Sequence, residues 1–250
     1  MLHASVQLLI IAQMRATPIH WQVVLIADVI ASSARKDLRG LLEKKLAAAT
    51  RAHREEKSIR LPYTVTAGDE FQTVLAKGAN IGELIFDLRM RMRPLRLRIG
   101  IGFGKARAPV QRPVNRMVGE AFQRARKAIE SVKKESTKFE ALTRFRSGNE
   151  TFDSTANLIY ALQDTLLSRV TPRQWETIQA FRSKKGIGRA ARALRLNRST
   201  VSRNLRRGFY WQTEQTIAGL DRLIRGRKGL LHENVQFKKN ARKRAMARRR

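Results

Sequence analysis

Apolar residues run with two periods between positions 20 and 148. Val23-Val24-Leu25-Ile26-Ala27 is an unbroken apolar run ending at Asp28, and it predicts a buried central strand over 21–28. Leu38, Leu41, Leu42, Leu46 and Ala49 recur at three and four positions, so a helix over about 36–54 should lay one face on a sheet. The stretch PYTVTAGDEFQTVLA, residues 62–76, reads as two short strands, 63–67 and 71–76. They join at Gly68-Asp69-Glu70 in a tight hairpin with its carboxylates at the tip. A second helix over 80–92 turns Ile81, Leu84, Ile85 and Leu88 inward, takes Asn80 as its N-cap and is stopped by Pro94. Residues 95–103 alternate as a strand, and glycines at 100, 102 and 104 leave room for close approach by either a helix or a ligand. A loop over 105–118, a third helix over 119–134 and a short strand over 141–146 complete this part.

The order of the first six elements, βαββαβ, is that of a ferredoxin-like sheet, here extended by a further helix and strand, so the fold class is α+β. In that topology the end of the first strand lies beside the turn between the second and third. Asp28 and Asp69 should then meet at one sheet edge, near enough to share a divalent cation. Oxygen-only ligation suits magnesium or manganese, with water and phosphate oxygens filling the remaining positions.

A helix over about 149–168 bridges to the C-terminal part. Its Leu158, Ile159, Leu162, Leu166 and Leu167 form a stripe that reads as core or interdomain contact, with a dimer seam as the alternative. Thr171-Pro172 opens the next helix with a hydroxyl cap and a proline at the first helical position. Short helices over 188–194 and 198–207 follow, the latter capped by Asn197 and stopped by Gly208; another lies around 214–224. This pattern resembles a helix-turn-helix of the transcription-regulator type, whose third helix enters the major groove with its first residues toward base edges. The resemblance assigns Arg198, Ser199, Thr200 and Arg203 to base contacts, and Arg189, Arg192, Arg206 and Arg207 to phosphate. Arg195 stands where such motifs often have Gly, which costs energy if that residue is left-handed.

Charge sharpens this division. The 250 residues carry 52 Lys and Arg against 20 Asp and Glu, a net +32 that draws polyanions, nucleic acid before a membrane surface. Residues 166–250 hold 24 basic and only 4 acidic residues, so the C-terminal third is the expected contact. Residues 238–250, with eight basic positions, read as a disordered arm adding salt-sensitive affinity for phosphates. Absence of cysteine excludes disulfides, thiolate metal sites and cysteine nucleophiles, and four scattered histidines lack metal-ligand spacing. The apolar stretch 6–12 is too short to span a bilayer, which makes a cytoplasmic, nucleoid-associated location the expectation. Met14 is an alternative start, which would leave residues 1–13 outside the native chain.

Leu25-Ile26-Ala27-Asp28-Val29, Thr66-Ala67-Gly68-Asp69-Glu70-Phe71, Arg98-Ile99-Gly100-Ile101-Gly102 and the run Gly119 to Arg126 together resemble the bacterial SatD family over roughly residues 21–215. They are similar, more distantly, to the palm domain of class III nucleotidyl cyclases and GGDEF proteins. There, acids at the end of the first strand and at the hairpin hold two metal ions over a nucleoside triphosphate. The resemblance makes Asp28 and Asp69 metal ligands with Glu70 beside them, and Gly68, Gln123 and Lys127 nucleotide contacts. Gln123 and Lys127 replace the cyclase Asn and Arg, and Lys does not substitute for a bidentate Arg, which argues against cyclase turnover.

The expected organisation is an N-terminal extension (1–20), a palm-like domain (21–148), a connecting helix (149–170), a helix-turn-helix domain (171–230) and a basic tail (231–250). The expected function is a DNA-binding transcriptional regulator, with nucleotide and magnesium or manganese as effectors and a homodimer as a candidate assembly. The alternatives are a two-metal phosphoryl-transfer enzyme and an RNA- or ribosome-associated protein.

Overall fold

The structure is a computed structural model that describes residues 19–30, 37–107, 117–135 and 141–226. Residues 1–18, 31–36, 108–116, 136–140 and 227–250, which take in most of the loop expected over 105–118 and the expected basic tail, lie outside the described residues.

Strand β1 (Ile19–Val29) is the spine of a five-stranded sheet ordered β2-β3-β1-β4-β5. β2 (Thr64–Ala67) and β3 (Glu70–Val74) form the hairpin, turning at Gly68 with φ 57°. Both β3 and β4 (Leu97–Arg107) pair antiparallel with β1, and β5 (Thr143–Arg146) adds parallel to β4. With helices α1 (Leu38–Glu55), α2 (Ile81–Met92) and α3 (Glu120–Glu135), this is the expected ferredoxin-like core with one extra αβ unit. The N-cap of α2 is as expected, since the Asn80 side chain accepts from the Glu83 N–H at 3.0 Å.

Alternation along β1 assigns the two faces. Val23, Leu25, Ala27 and Val29 pack in the cluster of α1 and α2, while Val24 and Ile26 pack against Ala121, Phe122, Ala125 and Ile129 of α3. The glycines of β4 serve the helix. A Cβ on Gly102 would stand 2.1 Å from the Ala121 carbonyl oxygen, and one on Gly100 2.5 Å from that of Ala125. α3 therefore lies with its backbone almost on the sheet. A buried polar network ties α1 to α2: His53 contacts the Tyr63 hydroxyl through Nδ1 and Asp87 through Nε2, each at 2.8 Å.

Helix α4 (Glu150–Ser168) covers the open edge of β5. Asp153 accepts from the Ser147 N–H, Asn157 accepts from the Phe145 N–H and donates to its carbonyl, and Asp164 accepts from the Leu142 N–H. These contacts set the rotation of α4, so its buried stripe is Phe152, Ala156, Tyr160, Gln163 and Leu167. Leu158 and Leu162, expected inward, are 65% and 62% exposed.

Four helices follow: α5 (Pro172–Lys184), α6 (Ile187–Leu194), α7 (Arg198–Arg207) and α8 (Tyr210–Arg225). Thr171 caps α5 with Pro172 following, as the Thr-Pro pair implied, and it also closes a capping box with Gln174. Phe86 and Met90 of α2 share one cluster with Trp175, Ile178, Val201, Leu205 and Ile217. Leu220 and Ile224 of α8 join the sheet core, so the C-terminal helices are packed onto the N-terminal part. No helix among the described residues is long and apolar enough to cross a membrane.

Candidate functional site

The acidic residues singled out above come together on the α3 face of the sheet. Asp28 follows Ile26 on that face and is 3% exposed. The hairpin turn brings Asp69 beside it, so that Asp69 Oδ2 accepts from the Val29 N–H at 3.2 Å. Glu70 lies within β3 rather than at the hairpin tip, and it is buried, because the chain turns on Gly68 and Asp69 alone.

Each carboxylate meets a cation or a donor. Lys133 Nζ lies 2.7 Å from Asp28 Oδ2, and Arg98, paired with Asp28 across β1 and β4, places Nη1 3.5 Å from Oδ1. Arg126 grips Glu70 through both guanidinium nitrogens, with Nη2 to Oε1 at 2.7 Å, and Thr66 donates to Oε1 at 3.0 Å. Burial alone would push the Glu70 carboxyl up. The Arg126 hydrogen bonds and charge, with help from Thr66 and Lys133, outweigh it and hold Glu70 below the ordinary glutamate range. Arg126 and Lys133 are seven residues apart, two turns along one stripe of α3. That spacing was the available sequence signal, and it was missed because a Lys and an Arg on a charged helix read as solvated.

The residues present decide what this cluster can hold. Asp28 Oδ1 is buried and accepts no hydrogen bond, and the Arg98 guanidinium at 3.5 Å is its counter-charge. With Glu70 taken by Arg126, the donor set is Asp28 and Asp69. Among the described residues no group of three or more His, Cys, Asp or Glu forms a metal cage. Two carboxylates with phosphate and water oxygens are a set magnesium accepts, but here Lys133 and Arg98 already hold Asp28. Gly68 is exposed at the hairpin tip, while Gln123 and Lys127 are exposed on α3 without a side-chain bond to the cluster.

The second group of residues lies on α6 and α7, joined by the three-residue turn Arg195 to Asn197. Arg195 adopts φ 53° and so takes the left-handed conformation whose cost the sequence flagged. Asn197 holds the N-cap position of α7, but its side chain makes no capping bond. Val201 and Leu205 face the core, which turns Arg198, Ser199, Arg203, Arg206 and Arg207 to solvent with Arg189 and Arg192 of α6; Thr200 is half-buried. The Arg198 guanidinium lies over Gly188, in a shallow groove lined by Ile187, Ser199 and Ser202. Arg189 donates to the Lys185 carbonyl. Arg182 departs from the rest of the basic run, since it bonds Glu83 and Glu214 and packs over the Phe86 ring at 5.4 Å. It fastens α5 and α8 to α2.

Two solved structures of a bacterial light-regulated adenylyl cyclase are similar to this chain, at 13% and 12% identity and TM-scores of 0.38 and 0.39. The match covers 54% of this chain, which spans 45% of the length of each cyclase. A regulator of polyketide synthase expression from Bifidobacterium adolescentis aligns over 87% of this chain and 90% of its own, at 13% identity and a TM-score of 0.32. No curated protein matches. The SatD family model matches residues 22–205, spanning the sheet, the carboxylate cluster and most of α7. The chain belongs to the SatD family.

Proposed function

We propose that this protein is a DNA-binding regulator that reads the major groove with α7. One observation carries the reading. Elsewhere several arginines are paired, Arg89 with Asp164, Arg91 with Asp87, Arg126 with Glu70 and Arg182 with Glu83 and Glu214, while exposed ones such as Arg51, Arg60 and Arg96 are spread over separate segments. On α6 and α7, by contrast, Arg189, Arg192, Arg198, Arg203, Arg206 and Arg207 are exposed, and none pairs with a carboxylate among the described residues. A row of uncompensated arginines at one helix pair is the electrostatic footprint of a phosphate backbone. The helix-turn-helix assignment gives the row its roles: Arg198 and Arg203, with Ser199 and Thr200, toward base edges, and the others to phosphates.

The test is titration of labelled duplex DNA with the wild-type chain, Arg198→Ala/Arg203→Ala, and Asp28→Asn/Asp69→Asn. The arginine pair should weaken specific binding by about 1–3 kcal/mol per lost bidentate contact. The aspartate pair should leave DNA affinity unchanged when no effector is added. Equal loss from both pairs contradicts the two-site division.

A second reading concerns the same molecule's sheet edge. The approach of Asp69 to Asp28, whose Oδ1 accepts no hydrogen bond, supports an effector site for a nucleotide carrying magnesium or manganese. Calorimetric titration with nucleoside triphosphate and magnesium should show metal-dependent heat that Asp28→Asn/Asp69→Asn removes.

A further inference from the structure

Asp28 is buried against α3, and a carboxylate so placed needs a counter-charge. Two cations supply it unequally. Arg98 comes from the neighbouring strand, fixed by the β1–β4 register, is 24% exposed, and stands 3.5 Å from Oδ1. Lys133 comes from the C-terminal part of α3, is 44% exposed, and reaches Oδ2 at 2.7 Å on a flexible four-carbon stem. Lys133 is the closer of the two and the easier to move. Its charge also acts on Glu70, and Arg126 remains there if Lys133 leaves.

We propose that Lys133 is an exchangeable counter-ion of Asp28: it yields its place when a divalent cation binds Asp28, and its ammonium then turns to the phosphate oxygens of the nucleotide. The proposal rests on the effector-site reading of Asp28 and Asp69. An ammonium and a dication on the same buried carboxylate repel strongly at such short range. The metal alone therefore binds poorly. A triphosphate relieves the conflict, because it offers anionic oxygens to both the metal and the displaced ammonium. Binding of metal and nucleotide is then coupled, each raising the affinity for the other by the same factor.

The experiment follows free manganese by electron paramagnetic resonance in titrations of the full chain, with and without ATP, for wild type, Lys133→Met and Asp28→Asn. Lys133→Met should bind manganese alone at least about tenfold more tightly than wild type, and should lose most of the gain that ATP confers. Asp28→Asn should bind none. Lys133→Gln, which keeps a donor for Asp28, takes its place if Lys133→Met fails to fold by thermal melting. Manganese affinity unchanged in the lysine variant, yet lost in Asp28→Asn, overturns the exchange and leaves the effector site standing. No manganese bound by wild type or the lysine variant, with or without ATP, overturns the effector site and the exchange with it.

Discussion

A methyl group on Gly102 would meet the Ala121 carbonyl oxygen at 2.1 Å and the Ala125 nitrogen at 2.2 Å, both backbone atoms that move only if α3 moves. Gly102→Ala should therefore lift α3 from the sheet and cost about 3 kcal/mol or more, at or beyond the upper end for overpacked cores, read from the midpoint of urea unfolding. At Glu70 the sign of the pH effect follows from its depressed folded-state pKa. The stability it contributes is complete above the ordinary glutamate value of 4.5 and is lost as pH falls through the lower folded value. Glu70→Gln should be less stable than wild type at neutral pH and lose less on acidification, as followed by thermal melting from pH 7 to pH 3. The approach of Asp28 and Asp69 was legible because strand order alone dictates it. The cations of the cluster were not, because Lys133 meets Asp28 and Arg126 meets Glu70 only once α3 is laid across the sheet.

At the scale of elements, periodicity placed every strand and helix of the palm-like part in order, with ends differing by a few residues. It failed for α4. Leu158 and Leu162 have the spacing of a buried stripe, yet polar side chains decide the helix's orientation. Asp153, Asn157 and Asp164 lie four and seven residues apart and satisfy the edge of β5 in place of a sixth strand. Asn157→Leu should remove both bonds to Phe145 and cost about 1–3 kcal/mol in urea unfolding. It should also promote concentration-dependent association, visible by light scattering, because an unsatisfied edge strand is a pairing template. The three-residue turn between α6 and α7 was legible from Leu194 and Asn197, although Arg195 holds the left-handed position without glycine.

For the whole molecule, the division of charge is the organising fact. Some positive charge in the N-terminal part is spent on buried carboxylates, at Arg89, Arg126 and Lys133, whereas the arginines of α6 and α7 face solvent together. Arg182 crosses between the two parts, bonding Glu83 of α2 and Glu214 of α8, so the arginine row is carried on a unit fastened to the sheet domain. On this account DNA affinity falls steeply with salt, and each clamp removed among Arg189, Arg192, Arg206 and Arg207 lowers the log–log slope by about one. Binding through phosphates alone would show the same salt dependence without choosing a sequence. Selection from a random duplex pool by the full chain, repeated with Arg198→Ala/Arg203→Ala, is therefore the most direct measurement. The account predicts that wild type enriches a defined sequence containing guanine, while the variant binds the pool with comparable salt sensitivity and enriches none. Enrichment of the same sequence by both proteins, or of no sequence by wild type, would contradict it.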